Sequence, residues 1–222
     1  MDAVTGSSAV TGSSAVARLD HLVFAVPDLE SGARLVEERL GVETAPGGRH
    51  VGLGTRNRLV GLGPGRYLEI VAIDPEQPAP PRPRWFGLDD LHEAKLVTWC
   101  VKAPDLHAVV RRGREAGLDL GEPVAGSRDR PDGARLSWIF TDPWAPRGGG
   151  VVPFFIDWGD SPHPGDELPA ACSFLGVRVE HPEPERIGAW LRAVGLDTPV
   201  SRAHAPRIVA SLDTPDGIVE LS

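Results

Sequence analysis

The sequence predicts an α+β fold made of repeated βαβββ units, with curved and mostly antiparallel sheets forming a cleft. Three observations carry this. A strand-to-helix exit recurs at Pro27, Pro104 and Pro182, spaced 77 and 78 residues apart. Each exit is followed by a helical pattern that ends in glycine plus an aliphatic residue: Gly41-Val42, Gly117-Leu118 and Gly195-Leu196. Short β-type runs separated by Gly/Pro turns follow each helix. Self-similarity at a fixed period is the mark of a repeated architecture.

Unit one spans residues 18–74. Its first strand, in Leu19 to Glu30 (LDHLVFAVPDLE), alternates and then turns uniformly apolar, as a strand does when one or both faces are buried. Pro27-Asp28 then favours the first turn of a helix. Strands are expected around His50–Leu53, Arg58–Leu62 and Tyr67–Ile73, with Gly63-Pro64-Gly65 as a turn. Residues 75–94 form a proline-rich strap. Its prolines force extended backbone, while Trp85, Phe86 and Leu88 suggest that it is pinned to the body.

Unit two covers residues 95–160. A strand (LVTWCV) and a helix to about Ala116 precede strands near Glu122–Gly126 and Arg135–Thr141, a Pro131-Asp132-Gly133 turn and a last strand in VVPFFIDW. Unit three covers residues 172–222. Its helix has the clearest stripe, with Ile187, Trp190, Leu191 and Val194 at i, i+3, i+4 and i+7.

Composition bounds the function. The 222 residues bury a core large enough to need no staples. Hydrophobic content of 41% and charged content of 24% are those of an ordinary soluble domain. A net charge of −8 argues against nucleic-acid binding, which rests on basic surface. No stretch reads as a membrane span, and the expected location is the cytoplasm. Cys100 and Cys172 form no CxxC motif or disulfide framework. Residues 1–17 contain Ala-Val-Thr-Gly-Ser-Ser twice, too little apolar surface to pack, and are expected to be a disordered tail.

The candidate site residues are polar side chains planted in apolar strands. His21 lies early in the first strand, and Glu69 interrupts Tyr-Leu-Glu-Ile-Val-Ala-Ile. Ionisable groups facing an apolar interior cost several kcal/mol unless they share a partner. His50 and Asn57, among the glycines of unit one, and Trp138, Trp158 and His163 of unit two are the candidate substrate-binding residues. Aromatic walls with a few convergent polar groups suit a small-molecule pocket. No Ser-His-Asp pattern, Walker loop or dinucleotide fingerprint is present.

LDHLVFAVPDLE, the GTRNRLVGLG…YLEIVAIDP run and the VPFFIDW…HP segment together resemble glyoxalase-like members of the vicinal oxygen chelate superfamily (the glyoxalase, bleomycin-resistance and dioxygenase group). The resemblance covers essentially Leu19 to Ser222. It implies two units pairing around a cleft and a divalent metal, zinc, iron, manganese or nickel, with ligands from the first and last strands of each unit. Carried over, unit one supplies His21 and Glu69, with Glu69 and Glu220 as candidate proton movers. Unit two places Thr98 at the position of His21 and, matching Leu-Glu-Ile to Phe-Phe-Ile, Phe155 at that of Glu69. Asp157 is its most plausible replacement ligand. Unit three places Gly176 at the position of His21 and Glu220 at that of Glu69.

The metal set is therefore His21, Glu69 and Glu220, suited to a metal-dependent lyase, isomerase or dioxygenase acting on a small oxygenated substrate. The alternative is a metal-free drug-sequestration or binding protein using the same cleft. Which two units pair is left open, as is a homodimer contact through the third. Deleting residues 1–16 should leave the melting temperature unchanged in differential scanning calorimetry, whereas a loss of several degrees would mean that the tail is docked.

Overall fold

A computed structural model describes residues 18–130 and 132–222. The expected tail over 1–17 and Pro131 of the expected turn lie outside the described residues. Each proline exit joins a strand to a helix. β1 (Leu19–Ala25) leads to α1 (Leu29–Leu40), β5 (Lys95–Lys102) to α2 (Leu106–Glu115), and β9 (Ser173–His181) to α4 (Pro184–Ala193). A one-turn helix, α3 (Pro164–Glu167), precedes β9. Asp28 caps α1 and Asp105 caps α2, each side chain accepting a backbone N–H of the first turn. Gly41, Gly117 and Gly195 take φ of 66°, 75° and 80°, the left-handed conformation that ends a helix and that glycine adopts without strain.

The other strands are β2 (Ala45–His50), β3 (Thr55–Gly61), β4 (Tyr67–Ile73), β6 (Val124–Asp129), β7 (Arg135–Phe140), β8 (Phe154–Asp157), β10 (Val200–Arg202), β11 (Arg207–Thr214) and β12 (Gly217–Leu221). β2 runs ahead of the strand expected over His50–Leu53. Gly52 and Gly54, at φ of 78° and 66°, bend residues 51–54 into a turn, while Pro46, Gly47 and Gly48 make the true strand read as loop.

Units one and two close on each other as an eight-stranded barrel in the order β1-β4-β3-β2-β6-β7-β8-β5. In each of them the first strand pairs in parallel with the last, and β1 joins β5 antiparallel. β1 is buried along its whole length because it separates two cores. Leu22 and Phe24 pack outward beneath the helices, and Val23 and Ala25 pack inward with Phe154, Ile156 and Trp138.

Unit three keeps the βαβββ element order but differs in topology. Its sheet runs β10-β9-β11-β12, so that β10 takes the parallel place beside β9 that the fourth strand holds in the other units. It packs on the outside of the barrel. Ile187, Leu191, Ile208 and Leu212 share one apolar cluster with Leu22, Phe24 and Trp99, and the Trp190 indole donates to Ala116 O at 3.1 Å. Between units one and two, Trp85 and Leu88 of the 3-10 segment Trp85–Asp90 insert into the barrel's inner cluster.

Ile187 is fully buried at the seam between unit three and the barrel. Ile187→Ala should therefore cost about 2–5 kcal/mol in urea denaturation, with one cooperative transition retained. Two separated transitions would show that unit three unfolds by itself.

Candidate functional site

The barrel interior holds a cavity of about 30 Å³, room for one or two water-sized groups. Its polar lining consists of His21, His50, Asn57, Glu69 and Arg128; its apolar lining is largely aromatic, including Trp85, Phe86, Trp138, Phe140, Phe154 and Trp158. Strand geometry places the polar groups together. β1 and β4 are neighbours, with His21 opposite Tyr67 and Val23 opposite Glu69. The His21 and Tyr67 rings stack with centroids 4.7 Å apart. His50 pairs with Thr55 across the β2–β3 hairpin, and its Nδ1 lies 3.0 Å from the Thr55 hydroxyl.

A bulge in β1 sets the orientation of His21. The β1–β5 register passes from Leu19 opposite Val101 directly to His21 opposite Cys100, leaving Asp20 as the extra residue. Asp20 is fully buried, and its carboxylate accepts from His21 Nδ1 at 2.6 Å, Trp158 Nε1 at 3.0 Å and His163 Nε2 at 3.0 Å. Burial alone would push the Asp20 carboxyl up. The hydrogen bonds from His163 and His21 outweigh it and hold the group well below the usual carboxylate range. With Nδ1 donating to the Asp20 carboxylate, the second ring nitrogen of His21, Nε2, is turned inward. Nε2 faces Glu69 Oε2 at 3.9 Å.

Glu69 is the convergence point. Its Oε1 accepts from Asn57 Nδ2 at 2.5 Å and lies 3.5 Å from His50 Nε2. Asn57 Oδ1 in turn accepts from Gly48 N at 2.8 Å and Arg128 Nη1 at 3.1 Å. A Cβ on Gly47 would sit 2.0 Å from Asn57 Oδ1, and one on Gly48 would sit 2.9 Å from Arg128 Cγ. These glycines give room to the side chains of Asn57 and Arg128. Burial pushes the His50 imidazole down to about 4, opposed by Glu69 and reinforced by Arg128 and His21.

The structure thus brings His21, Glu69, His50, Asn57, Trp138 and Trp158 to one cavity. His163 is beside it, tying down Asp20 and accepting Gly165 N with its Nδ1. Glu220 is not brought there. It lies exposed on β12, in the separate sheet, paired with Arg178 at 2.5 Å. Asp157 caps the turn at Gly159. The match of Phe155 to Glu69 is one residue off. Val23 and Cys100, each four residues before its proline, pair with Glu69 and Phe154, so Phe154 is the inward equivalent while Phe155 packs outward.

Sequence reasoning missed Asp20 and Arg128. Alternation assigns Asp20 to the face opposite His21, and only the bulge reverses that. Arg128, in GSRDRPDG, reads as a turn residue.

Asp20, His21 and Cys100 offer one ligand atom each within 4.8 Å, the tightest such trio among the described residues. It is poorly suited to a metal ion, because the Asp20–His21 edge is already a hydrogen bond and burial pushes the Cys100 thiol up, keeping it protonated. His21, His50 and Glu69 suit a borderline divalent ion better in donor type, two imidazoles and a carboxylate, and His21 carries the carboxylate support common to metal-bound histidine. As a set they stand wider than 4.8 Å.

A family model for a glyoxalase-like domain matches residues 19–195. No curated protein sequence matches the chain. Among solved structures, the chain is similar to a hypothetical protein from Staphylococcus aureus, at 14% identity with a TM-score of 0.67, covering 92% of this chain and 98% of that one. It is also similar to methylmalonyl-CoA epimerase from Mycobacterium tuberculosis, at 21% identity and a TM-score of 0.43, over 68% of this chain and 93% of that one. At these identities the first likeness speaks to the fold alone, and the second is too distant to bear on the site.

The unfolded imidazole of His50 takes up its proton near 6.5 and the folded one only near 4. The unfolded state therefore binds more protons in that window, and stability falls as pH drops through it, by about 2–4 kcal/mol from this residue. In chelator, His50→Gln should flatten that part of the pH–stability curve measured by urea denaturation. An unchanged slope would place the titrating group elsewhere.

Proposed function

Because the chain belongs to the glyoxalase-like domain family, we propose that its barrel cavity is the site of a divalent-metal-dependent enzyme moving a proton on a small oxygenated substrate. This is isomerase- or lyase-type chemistry, and a dioxygenase-type reaction would use the same residues. The observation that carries this reading is that His21 Nε2 and Glu69 Oε2 face each other 3.9 Å apart. With the His21 ring neutral, these are two acceptors within twice a metal–ligand bond of about 2.1 Å, a separation that a divalent cation would bridge.

His21 and Glu69 would hold the ion, with His50 in the place expected of Glu220. When bound, the ion supplies Lewis-acid polarisation of substrate oxygens. The chain's own residues do the rest. Asp20 fixes the His21 tautomer, and Asn57 holds Glu69 Oε1, so that Oε2 is turned toward His21, where it would either hold the ion or take the substrate proton. The aromatic wall excludes water and strengthens each of these interactions.

Trp138 and Trp158, with ring centroids 5.1 Å apart, line both the cavity and an open groove of about 860 Å³. They would form the gate through which a substrate larger than the cavity reaches it. Among the described residues no helix is long and apolar enough to cross a membrane. Two free buried cysteines suit the reducing cytoplasm in which we place the protein.

A second reading, metal-free binding of an aromatic or drug-like ligand, is favoured by Phe154 standing where a fourth ligand would be and by the aromatic lining. Melting temperature against added zinc, manganese, nickel and ferrous iron separates the two. At a few hundred times Kd, a metal stabilises the fold by about 3–4 kcal/mol. His21→Ala and Glu69→Ala should each abolish that shift, and Glu220→Ala should leave it intact. No shift with any ion, together with no bound metal by elemental analysis, would leave the metal-free pocket in its place.

A further inference from the structure

We propose that the ligand of this cavity is an anion and that Arg128 binds its charged group, a carboxylate or a phosphate. This rests on the cavity being the substrate site and goes beyond the metal reading, because it assigns the ligand's charge.

Arg128 is 5% exposed on β6, with its side chain turned into the barrel. A guanidinium has five N–H donors, and here a single side-chain bond is formed, from Nη1 to Asn57 Oδ1 at 3.1 Å. Among the described residues no carboxylate lies within 4 Å of it. A buried cation without an anionic partner is costly, by several kcal/mol, and is kept where a ligand completes it.

The surroundings hold that charge open. The nearest cavity carboxylate, Glu69, is separated from Arg128 by Asn57, whose carbonyl oxygen faces the guanidinium and whose amide nitrogen faces Glu69. Asn57 thereby keeps the two charges from neutralising each other. Arg128 also lines a second, open groove of about 270 Å³, so that it stands at a doorway between solvent and cavity. The other cation of that groove, Arg130, is already paired with Asp132 and Glu167, at 3.3 and 2.6 Å. The planar fork of Arg128 matches the paired oxygens of a carboxylate or phosphate. An acid held there would extend its small oxygenated end toward Glu69 and His21.

The test uses the full chain in chelator and, separately, with the metal that stabilises it best. Millimolar pyruvate, malonate and inorganic phosphate are compared with pyruvamide and malonamide at matched ionic strength, by thermal shift and isothermal titration calorimetry. One or more of the anions should raise the melting temperature by several degrees while the amides do not, and the ratio between the carboxylates and phosphate identifies the group. Arg128→Gln should weaken the anion about tenfold or more, with Arg128→Lys intermediate. The inference is overturned if no anion shifts the wild type, if amides act as well as acids, or if Arg128→Gln binds as tightly as wild type. Should Arg128→Gln fail to fold, the comparison of acids with amides on wild type still decides. A metal-induced shift that survives in wild type alongside no anion effect overturns this inference alone and leaves the metal reading standing.

Discussion

A carboxylate with no access to water governs this structure. Asp20 is fully buried, and its cost is met by three N–H donors from three places in the chain: the imidazole next to it, an indole just past the end of β8, and an imidazole in the segment leading to unit three. Each donor is positioned by that bond. His21 has its tautomer fixed, Trp158 is held at the rim of the cavity, and His163 fastens the chain where it leaves the barrel. Charge-assisted bonds of this kind are stronger than neutral ones, and their strength grows where water is excluded. One bulge in β1 therefore sets both the chemistry of the cavity and the path of the chain around it.

Much of the fold was legible because its signals are local. Three proline exits, three left-handed glycines and a buried first strand follow from φ restrictions and hydrophobic patterning, which act within a few residues. Sheet order is not local. Unit three has the same element order as the others, yet β10 fills the place beside β9 that the fourth strand holds elsewhere. Nothing in the spacing of Pro182, Gly195 and the Pro-Asp-Gly turn distinguishes those pairings. The equivalence of Glu220 with Glu69 rested on element order, and it lapses with the topology.

The site divides along the same line. His21 and Glu69 stand out as ionisable groups in apolar strands, and period-2 geometry commits each to a face. Asp20 breaks that rule, because a bulge inserts one residue and brings neighbouring side chains together. Phe154 and Phe155 illustrate the sensitivity: a register error of one residue exchanges the barrel interior for the outer core. Arg128 was hidden by composition, since a run of Gly, Ser, Arg, Asp and Pro reads as loop even where its first half is strand.

Asn57 joins these threads. An amide is neutral but has a donor end and an acceptor end, and here a carboxylate meets one and a guanidinium the other. Those charges orient the amide, and Gly47 gives it room. A direct Arg128–Glu69 ion pair would neutralise the cavity and close it to charged ligands. With the amide between them, the negative end stays beside His21 and the positive end stays at the doorway. The barrel thus keeps two opposite charges buried and separate, an arrangement that stability alone does not favour and that a polar ligand spanning the two would complete.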